Sequence, residues 1–423
     1  MQFQGVKGTR DFYPDAMRVR NWIIDVWQRV SLRNGFEEYD SPIFEYLDLF
    51  TVKSGEEIAS QLFSLTDRGG RSLAIRPEIT PALARMVNAK INSLPRPIKW
   101  FSVPRLCRAE KPQRGRLREL FQWNVDVIGS DSILADAECI FVAADFLREV
   151  GLTGDDVRVR IGSRPLTIAA LATAGVPAGR TDATLAVLDK RPKLTEEAFR
   201  EVASGAGLTG EQIAAVCRFQ DAGSVDEIRE LLGGREDTEE HLRSQEELTA
   251  ALDAMGVGDY CELDMRIVRG LAYYTGVVYE VFDRDQSLRA VAGGGRYDNL
   301  LEVLGGPKLG ATGFGMGDVV LGILLEEKGK LPAGGGRVEY YVIDGEEGDF
   351  ATVMEVVGAL RRAGRSADFS YKRQSIGKQL KAANRCGAAK AAIVRGRTVS
   401  VKDLATGEQV DRPLAELLGR PAG

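Results

Sequence analysis

A cluster of cationic residues lies next to an aromatic segment in this 423-residue chain, although the formal net charge of the chain is -5. Residues 110–123 read EKPQRGRLRELFQW and contain three arginines and one lysine. The planar guanidinium group of arginine can hold the oxygens of a phosphate or a carboxylate through two parallel hydrogen bonds. The cluster therefore has two interpretations, an anion-binding loop or a solvated surface loop.

The residues around this cluster have the pattern of a β-hairpin. Apolar and polar residues alternate in the segment FQWNVDVIG, which predicts a strand with two different faces. The apolar face carries Phe121, Trp123, Val125 and Val127, and the polar face carries Gln122, Asn124 and Asp126. The preceding segment IKWFSVPRLCR also has strand character, so AEKPQRGR is the predicted hairpin loop. We expect one face of the second strand to pack and the other to offer polar groups.

Histidine and cysteine usage exclude several kinds of chemistry. His241 is the single histidine, which nearly excludes catalytic triads and histidine-ligated metal sites. The five cysteines are widely spaced and odd in number, which argues against a disulfide framework and a CxxC zinc site. No apolar segment approaches the roughly 20 residues of a membrane helix, and no secretory leader is recognisable at the start. A soluble, cytoplasmic protein that works with arginine, carboxylate, tyrosine, glutamine or backbone groups is expected.

Composition divides the chain into regions. Alanine, glutamate and leucine dominate residues 166–255, where Thr-Glu-Glu and Thr-Gly-Glu segments predict short capped helices. Proline and glycines in residues 329–337 predict a linker, and residues 338–423 alternate strands and helices as in a small α/β domain. Nine Lys or Arg residues and no acidic residue lie between Lys372 and Lys402. This pattern favours a face that binds a polyanion, and a solvated basic face is the alternative.

The motifs of the whole chain, taken in order, resemble those of histidyl-tRNA synthetases, a family of class II aminoacyl-tRNA synthetases. Arg108-Ala109-Glu110 opens the hairpin loop as the second class II motif does, and PQRGR is similar to this family in particular. The other matching segments are KGTRDFYP (7–14), GFEEYDSPIFE around Pro42, RPEITP (76–81), RGLAYYTGVVYE (269–280), GGGRYDNL (293–300) and GKQLKAANRCGA (377–388).

The resemblance implies an α/β (α+β) fold. An antiparallel class II sheet flanked by helices is expected in residues 1–165 and 256–328, interrupted by a helical insertion at 166–255. A C-terminal α/β anticodon-binding domain is expected at 338–423. The family pairs its first motifs across a dimer, so a homodimer is implied.

The resemblance also implies roles for individual residues. Arg108 and Arg269 match the family's catalytic arginines at the α-phosphate of ATP. Histidine would be bound by Glu78, Thr80 and Gln122 at its ammonium group, by Asp126 and Tyr274 at its imidazole, and by Tyr273 as a wall. ATP would be bound by Arg108, Glu110, Arg116, Phe121 and Arg296. The tRNA would be bound by Gln113, Arg114, Arg116, Lys372, Arg373, Lys378 and Lys381.

The chain departs from the family pattern at a few positions. The third class II motif normally ends in an arginine that binds the γ-phosphate of ATP, whereas GFGMGDVVLGILL has Val320 at that position. Ala272 replaces the usual aspartate, and Asp126 is one methylene shorter than the usual glutamate. Leu120 stands where an aromatic residue often stacks on adenine, and the neighbouring Phe121 is the expected substitute. GFGMGD at 313–318 also resembles a GxGxxG dinucleotide loop, but the acidic residue and βαβ spacing of that fold are missing.

The resemblance implies ATP-dependent ligation of histidine to tRNA-His through histidyl-adenylate. ATP is then a substrate, and Mg2+ accompanies its phosphates, with no side chain assigned to the metal. A second hypothesis is a catalytically inactive relative that serves as a regulatory subunit of ATP phosphoribosyltransferase in histidine biosynthesis. The basic C-terminal domain favours the ligase, as do the retained Arg108, Glu110, Arg269 and Glu78. A generic RNA-binding protein is the third hypothesis.

Overall fold

The computed structural model describes residues 3–51, 62–268, 274–332, 338–345 and 350–417. Contacts between residues divide the chain into two compact units, Met1–Leu331 and Pro332–Gly423. They are called the first and second unit below.

A nine-stranded sheet forms the centre of the first unit. Its strands are β1 (Glu37–Glu38), β5 (Ile98–Ser102), β6 (Arg105–Cys107), β7 (Glu119–Ile128), β8 (Val157–Ser163), β9 (Cys261–Leu263), β10 (Val277–Asp283), β11 (Ala292–Arg296) and β12 (Ala311–Gly317). The spatial order is β1-β5-β7-β12-β11-β10-β8-β9, with β6 paired to β7 outside this path. The pairs from β5 through to β8 are antiparallel, and the two outer pairs are parallel.

The predicted hairpin is confirmed, because β5 and β6 both pair antiparallel with β7. The strand before the loop is interrupted at Val103-Pro104, so it forms two short strands rather than one. Proline has no N–H for a sheet, which explains the break. The apolar face of β7 is buried as its alternation predicted, and Trp123 and Val125 belong to the main core.

Helices cover the apolar faces of this sheet. Those outside the helical segment described below are α1 (Pro14–Arg33), α2 (Thr80–Ala89), α3 (Ile133–Glu149), α10 (Leu300–Val303) and α11 (Asp318–Glu327). Helix α1 begins with a proline, whose fixed φ suits the first turn, and is followed by Gly35 at φ +77°. Its Trp27 stacks on Trp123 of β7 with ring centroids 6.0 Å apart. This contact ties the first helix to the strand that carries the polar face.

Residues 164–254 form a run of helices with two apolar clusters of their own. The helices are α4 (Arg164–Thr173), α5 (Thr181–Leu188), α6 (Glu196–Gly205), α7 (Gly210–Gln220), α8 (Val225–Leu231) and α9 (Glu239–Ala254). Two of the predicted caps are confirmed, whereas Thr238, which begins the other Thr-Glu-Glu segment, forms no side-chain cap before α9. Thr195 accepts a hydrogen bond from the Ala198 N–H, and Thr209 forms a reciprocal capping box with Gln212.

A small three-stranded sheet lies apart from the central one. It consists of β2 (Phe44–Tyr46), β3 (Phe63–Thr66) and β4 (Ser72–Ile75) in the antiparallel order β2-β4-β3. Phe44 and Tyr46 are more than half exposed, at 52% and 56%, and Leu65 is also exposed. This sheet therefore presents an apolar surface.

The second unit is a five-stranded sheet with helices. Its strands are β13 (Tyr340–Asp344), β14 (Ala367–Phe369), β15 (Lys390–Arg395), β16 (Thr398–Asp403) and β17 (Gln409–Pro413), and its helices are α12 (Phe350–Arg362), α13 (Ile376–Arg385) and α14 (Leu414–Leu417). The order is β14-β13-β15-β16-β17, parallel for the first three strands and antiparallel for the others. Buried Gln379 of α13 exchanges hydrogen bonds with the backbone of Asp344, which fixes the helix to the end of β13.

Candidate active site

The polar face of β7 lies against a strand of alternating glycines. Gly313 of β12 is paired with Asp126, and Gly317 is paired with Gln122. A Cβ atom on Gly315 would overlap Nε2 of Gln122, and one on Gly313 would overlap Oδ1 of Asp126. The glycines of GFGMG therefore leave room for two polar side chains that lie across the neighbouring strand.

This function of the GFGMG segment was missed by the sequence analysis, which considered it as part of the third class II motif and as a dinucleotide loop. The signal was present, because the glycines recur at every second position and therefore share one face of a strand. Glycine inside a strand often marks a site where another group approaches the backbone closely.

Asp126 is buried, at 2% exposure, and accepts a hydrogen bond from the hydroxyl of Tyr297. Burial raises the pKa of Tyr297 well above its ordinary value, and the nearby Asp126 carboxylate raises it further. Burial likewise raises the pKa of Tyr39, with Asp126 as the next cause. Both phenols therefore stay protonated near neutral pH and can donate hydrogen bonds. Neither tyrosine was predicted as part of the site, although Tyr297 directly follows Arg296 in GGGRYD.

Tyr274 is buried beside β11, and the absence of a side chain on Gly295 accommodates its ring. A Cβ atom on Gly295 would lie 2.9 Å from Cδ1 of Tyr274. The expected site residues Arg269 and Tyr273, together with Ala272, lie outside the described residues.

Glu78 and Thr80 lie at the start of α2. Thr80 is buried, and Oε1 of Glu78 is buried with no hydrogen-bond partner among the described residues. The alternative that Glu78 caps α2 is not observed, because no side chain caps this helix at Ile79. A buried carboxylate oxygen without a donor is costly, so this position suits a cationic ligand.

Arg108 joins this segment to the hairpin. Its Nε donates to the carbonyl of Pro77 at 2.9 Å, directly before Glu78, and its backbone N–H donates to the carbonyl of Arg118 at 2.8 Å. The loop then closes in a tight turn, because Gln113 and Arg116 exchange two backbone hydrogen bonds of 2.9 Å. Arg108, which was predicted as catalytic, thus connects the second class II motif to the RPEITP segment.

Two arginines of the hairpin loop already form ion pairs with acidic side chains. Arg116 forms a two-pronged ion pair with Glu110, whose side chain is largely buried. Arg114 pairs with Glu327 at the end of α11. Gln113 and Arg114 are exposed at the tip of the loop. The exposed pair can meet a large ligand directly, whereas Arg116 must share or exchange its carboxylate.

Phe121 is not brought to the polar face. It lies on the opposite side of β7 from Gln122, where the guanidinium groups of Arg20 and Arg105 are 4.8 and 4.9 Å from its ring centroid. Phe12 contacts the same ring edge-on at 6.1 Å. The expected stacking of Phe121 on adenine is therefore not supported. Side chains alternate along β7, so Phe121 shares the apolar face with Trp123 and not the polar face with Gln122.

Arg296 is held inside the protein. Its Nε and Nη2 donate to Oδ2 of fully buried Asp136, Nη1 donates to Ser130 O and Asp298 Oδ1, and Nη2 also donates to Ser132 O. These five bonds use the five N–H groups of a guanidinium. Burial raises the pKa of Asp136, while Arg296 opposes that rise. The structure thus gives Arg296 a role in holding the fold, and its expected contact with ATP stays a prediction.

The segment that resembles the third motif is anchored by an acid. Oδ1 of buried Asp318 accepts from the backbone N–H of Phe121 at 2.9 Å, and Oδ2 accepts from Arg10 at 2.6 Å. Val320, two residues later, is buried in the main core. The position of the usual arginine is therefore apolar and packed.

The expected tRNA-binding cations of the second unit are exposed. Lys372 and Arg373 follow β14, and Lys378 and Lys381 lie one turn apart on α13. Tyr371, which was not predicted as a site residue, is 84% exposed beside Lys372. Cations with an exposed aromatic ring are typical of surfaces that bind single-stranded nucleic acid.

Known protein families match both units. Residues 8–317 match the family described as "Histidyl-tRNA synthetase", and residues 339–420 match "Anticodon binding domain". The chain belongs to the histidyl-tRNA synthetase family. The resemblance inferred from the motifs is thereby confirmed.

Individual relatives of this family match nearly the whole chain. The chain is 40% identical over 421 residues to "Histidine--tRNA ligase" of Opitutus terrae, covering 97% of this chain and 96% of the relative. It is 38% identical to "Histidine--tRNA ligase, chloroplastic/mitochondrial" of Arabidopsis thaliana, covering 97% and 85%. A crystal structure of histidyl-tRNA synthetase from Nostoc sp. PCC 7120 has a TM-score of 0.85 at 23% identity, covering 99% and 98%. The predicted fold, a helix-flanked central sheet with a separate C-terminal sheet domain, is confirmed.

Proposed function

We propose that this chain ligates histidine to tRNA-His in an ATP-dependent reaction, through histidyl-adenylate. The observation that carries this proposal is the buried polar face of β7, where Gln122 and Asp126 lie across the glycines of β12 near Tyr297. A carboxylate and a phenol together can accept from and donate to the two imidazole nitrogens, which an apolar or smaller side chain cannot match. Asp126 and Tyr274 are the proposed imidazole contacts.

The ammonium group of histidine is assigned to Glu78, Thr80 and Gln122. The buried Oε1 of Glu78, which lacks a donor among the described residues, supports this assignment. An ammonium group there would satisfy that oxygen with a charge-assisted hydrogen bond.

In the proposed first step, a carboxylate oxygen of histidine attacks the α-phosphorus of ATP. A new bond forms between this oxygen and phosphorus, the bond from the α-phosphorus to the bridging oxygen breaks, and pyrophosphate leaves. No general base is needed, because the attacking carboxylate is already ionised. Arg108 and Arg269 are the proposed cations that stabilise the growing negative charge on the phosphoryl oxygens.

In the second step, a ribose hydroxyl at the 3′ end of the tRNA attacks the carbonyl carbon of the adenylate. An ester forms, the bond from this carbon to the phosphate oxygen breaks, and AMP leaves while the hydroxyl proton passes to a phosphate oxygen of AMP or to water. The exposed tip residues Gln113 and Arg114, with Arg116 below them, are proposed to contact the acceptor end. Glu110 and Arg116 are proposed to contact ATP.

Mg2+ is proposed to enter with the phosphates of ATP. Within the described ranges, no group of three or more acidic, histidine or cysteine side chains could hold a metal ion. This donor set does not build a dedicated cage, which suits an ion that commonly keeps its waters and substrate phosphates as ligands. When bound, it would neutralise part of the phosphate charge.

The second unit is proposed to bind the anticodon region through Lys372, Arg373, Lys378 and Lys381. Lys378→Ala and Lys381→Ala should each weaken tRNA binding and reduce its salt dependence by about one phosphate contact. Arg362→Ala is the matched control, since Arg362 is exposed on α12 outside the basic stretch. Equal effects of all three substitutions would argue against a specific face.

Assembly and location are also proposals. A homodimer is supported by the exposed apolar surface of the β2-β4-β3 sheet, and a Phe44→Asp variant should shift the mass measured by light scattering toward a monomer.

A cytoplasmic location is supported by the five cysteines, which are all free thiols. No helix within the described residues is long and apolar enough to cross a membrane. Residues 166–255 are proposed as an insertion domain within the catalytic core at 1–165 and 256–328.

The test of the proposed function is histidine-dependent exchange of pyrophosphate into ATP, with the other amino acids as controls, followed by charging of tRNA. Exchange confined to histidine is the expected result. Absence of exchange from folded protein that binds histidine would overturn the proposal. It would favour the regulatory-subunit hypothesis, which the family comparisons do not support better than the ligase.

A further inference from the structure

Arg289, an arginine outside all of the recognised motifs, lies in the connection between β10 and β11 and approaches the tip of the hairpin loop. A Cβ atom on Gly115 would lie 3.2 Å from Cγ2 of Val320 and 3.8 Å from Cδ of Arg289. Gly115 itself has φ +74°, which favours glycine, so the tight turn brings the loop tip close to both side chains. Arg289 therefore lies close to the position at which the usual third-motif arginine is replaced by Val320.

The segment that carries Arg289 is held in place by a buried acid. Oδ2 of Asp283 accepts from the Ser287 N–H at 2.8 Å and from its hydroxyl at 2.9 Å, and Oδ1 accepts from the Leu288 N–H at 3.0 Å. Leu288 packs against the main core, and β11 resumes with a hydrogen bond from Val291 N to Val281 O at 2.7 Å. The connection between β10 and β11 is thus fixed on both sides of Arg289, while the Arg289 side chain is exposed.

Three other cations of this region already have acidic partners. Arg10 pairs with Asp318, Arg114 with Glu327, and Arg116 with Glu110. No hydrogen bond or ion pair engages the guanidinium group of Arg289 in the described part of the chain. Arg289 can therefore bind an anion without giving up a partner.

We propose that Arg289 binds the β- and γ-phosphates of ATP and supplies the positive charge that Val320 cannot. The proposal rests on the proposed function, because it assigns a ligand within the same site. A guanidinium fork matches two phosphate oxygens, and a position next to the loop that is expected to grip ATP is suited to the outer phosphates.

The experiment compares Arg289→Ala, Arg289→Lys and Arg284→Ala with the wild-type chain in pyrophosphate exchange without tRNA. Arg284 is an exposed arginine of the same connection, which makes it a matched control. We expect Arg289→Ala to raise the KM for ATP about tenfold to hundredfold, the usual range for a charge-assisted contact. The KM for pyrophosphate should rise in parallel, because pyrophosphate contains the same two phosphates.

Three further readouts separate phosphate binding from a structural effect. The KM for histidine and the inhibition constant of AMP, which lacks the outer phosphates, should change less than about twofold. Arg289→Lys should recover part of the loss, since it restores the charge without the fork. Arg284→Ala should behave as the wild type.

The outcomes distinguish this proposal from the proposed function. Histidine-dependent exchange by the wild type with unchanged exchange by Arg289→Ala would overturn the role of Arg289 alone. A loss seen only in tRNA charging would also overturn it and would make Arg289 a tRNA contact. No exchange by the wild type would overturn the proposed function, before the variants are compared.

Discussion

Arg296 and Tyr297 are consecutive residues of the GGGRYD segment, but their side chains belong to two different polar clusters. Arg296 gives its five N–H groups to acceptors inside the protein, chiefly to buried Asp136. Tyr297 gives its hydroxyl to Asp126, beside the polar face of β7. In the Arg296 cluster, every guanidinium N–H is bonded to an acceptor within the protein. The Tyr297 cluster lies beside side chains that are suited to binding a ligand.

The difference between these clusters teaches that residue type alone does not separate structural from ligand-binding groups. An arginine in a family motif is readily assigned to a phosphate, yet its acceptors here include the carbonyls of Ser130 and Ser132. A guanidinium that is saturated in this way would have to break buried bonds before it could bind ATP. Substitutions in the cluster around Arg296 should therefore change the free energy of unfolding. Substitutions in the cluster around Asp126 and Tyr297 should change the kinetics with histidine.

The largest effect is expected for Arg296→Met, on stability. Removing the guanidinium leaves the Asp136 carboxylate buried without its cation, which typically costs about 3–5 kcal/mol of unfolding free energy. Urea unfolding measures this loss. Because burial already raises the pKa of Asp136, ionisation of this group opposes folding, so the variant should lose further stability as the pH rises through that pKa.

The double variant Arg296→Met with Asp136→Leu is the control for this prediction. Replacing both charges by apolar groups should recover much of the loss, because no buried charge remains unpaired. Wild-type urea unfolding together with a higher KM for ATP in Arg296→Met would contradict the structural role and return Arg296 to the nucleotide site.

The next effect is expected for Asp126→Asn, on histidine. The amide keeps the shape but loses the charge and one acceptor, so kcat/KM for histidine should fall by about a hundredfold, the upper range for a hydrogen bond to a charged group. The KM for ATP in the same exchange assay is the internal control and should change little. A comparable loss for both substrates would show that Asp126 supports the whole site rather than the imidazole pocket.

A smaller effect is expected for Gly315→Ala, which tests the glycine strand. The new methyl group would overlap Nε2 of Gln122 and lie 2.8 Å from its Cδ, and all three nearest atoms belong to that side chain. Displacing Gln122 should raise the KM for histidine about tenfold, equivalent to about 1.4 kcal/mol, with little effect on stability.

Gly322→Ala is the matched control for this variant. Gly322 lies in α11 with no atom within 4 Å of an added Cβ, so the substitution should leave histidine kinetics unchanged and stabilise the helix by up to about 1 kcal/mol. A wild-type KM in Gly315→Ala would mean that Gln122 does not contact the substrate where we propose.

The elements that carry the site could be predicted from the sequence because their signals are local. Alternation along β7 gave the hairpin and the shared face of Gln122 and Asp126, and the threonine caps gave helices α6 and α7. The contacts of Arg296 could not be predicted, because Asp136 is 160 residues away in the sequence. The same alternation that predicted the face of Gln122 also placed Phe121 on the other face, so its assignment to ATP came from the resemblance against the local pattern.

The smallest effect is expected for Tyr297→Phe, which removes the hydroxyl that bonds to Asp126. The pKa of Tyr297 is raised well above its ordinary value, so the wild-type hydroxyl donates at every pH at which the enzyme is assayed. Losing one such hydrogen bond should cost about 1 kcal/mol, seen as a roughly fivefold higher KM for histidine. The double variant with Asp126→Asn should lose less than the sum of the two single variants, because both act on one hydrogen bond. Additive losses would mean that Tyr297 contacts the substrate independently of Asp126. The Tyr297 cluster would then differ from the Arg296 cluster in binding substrate directly, and not only in leaving hydrogen-bonding groups available.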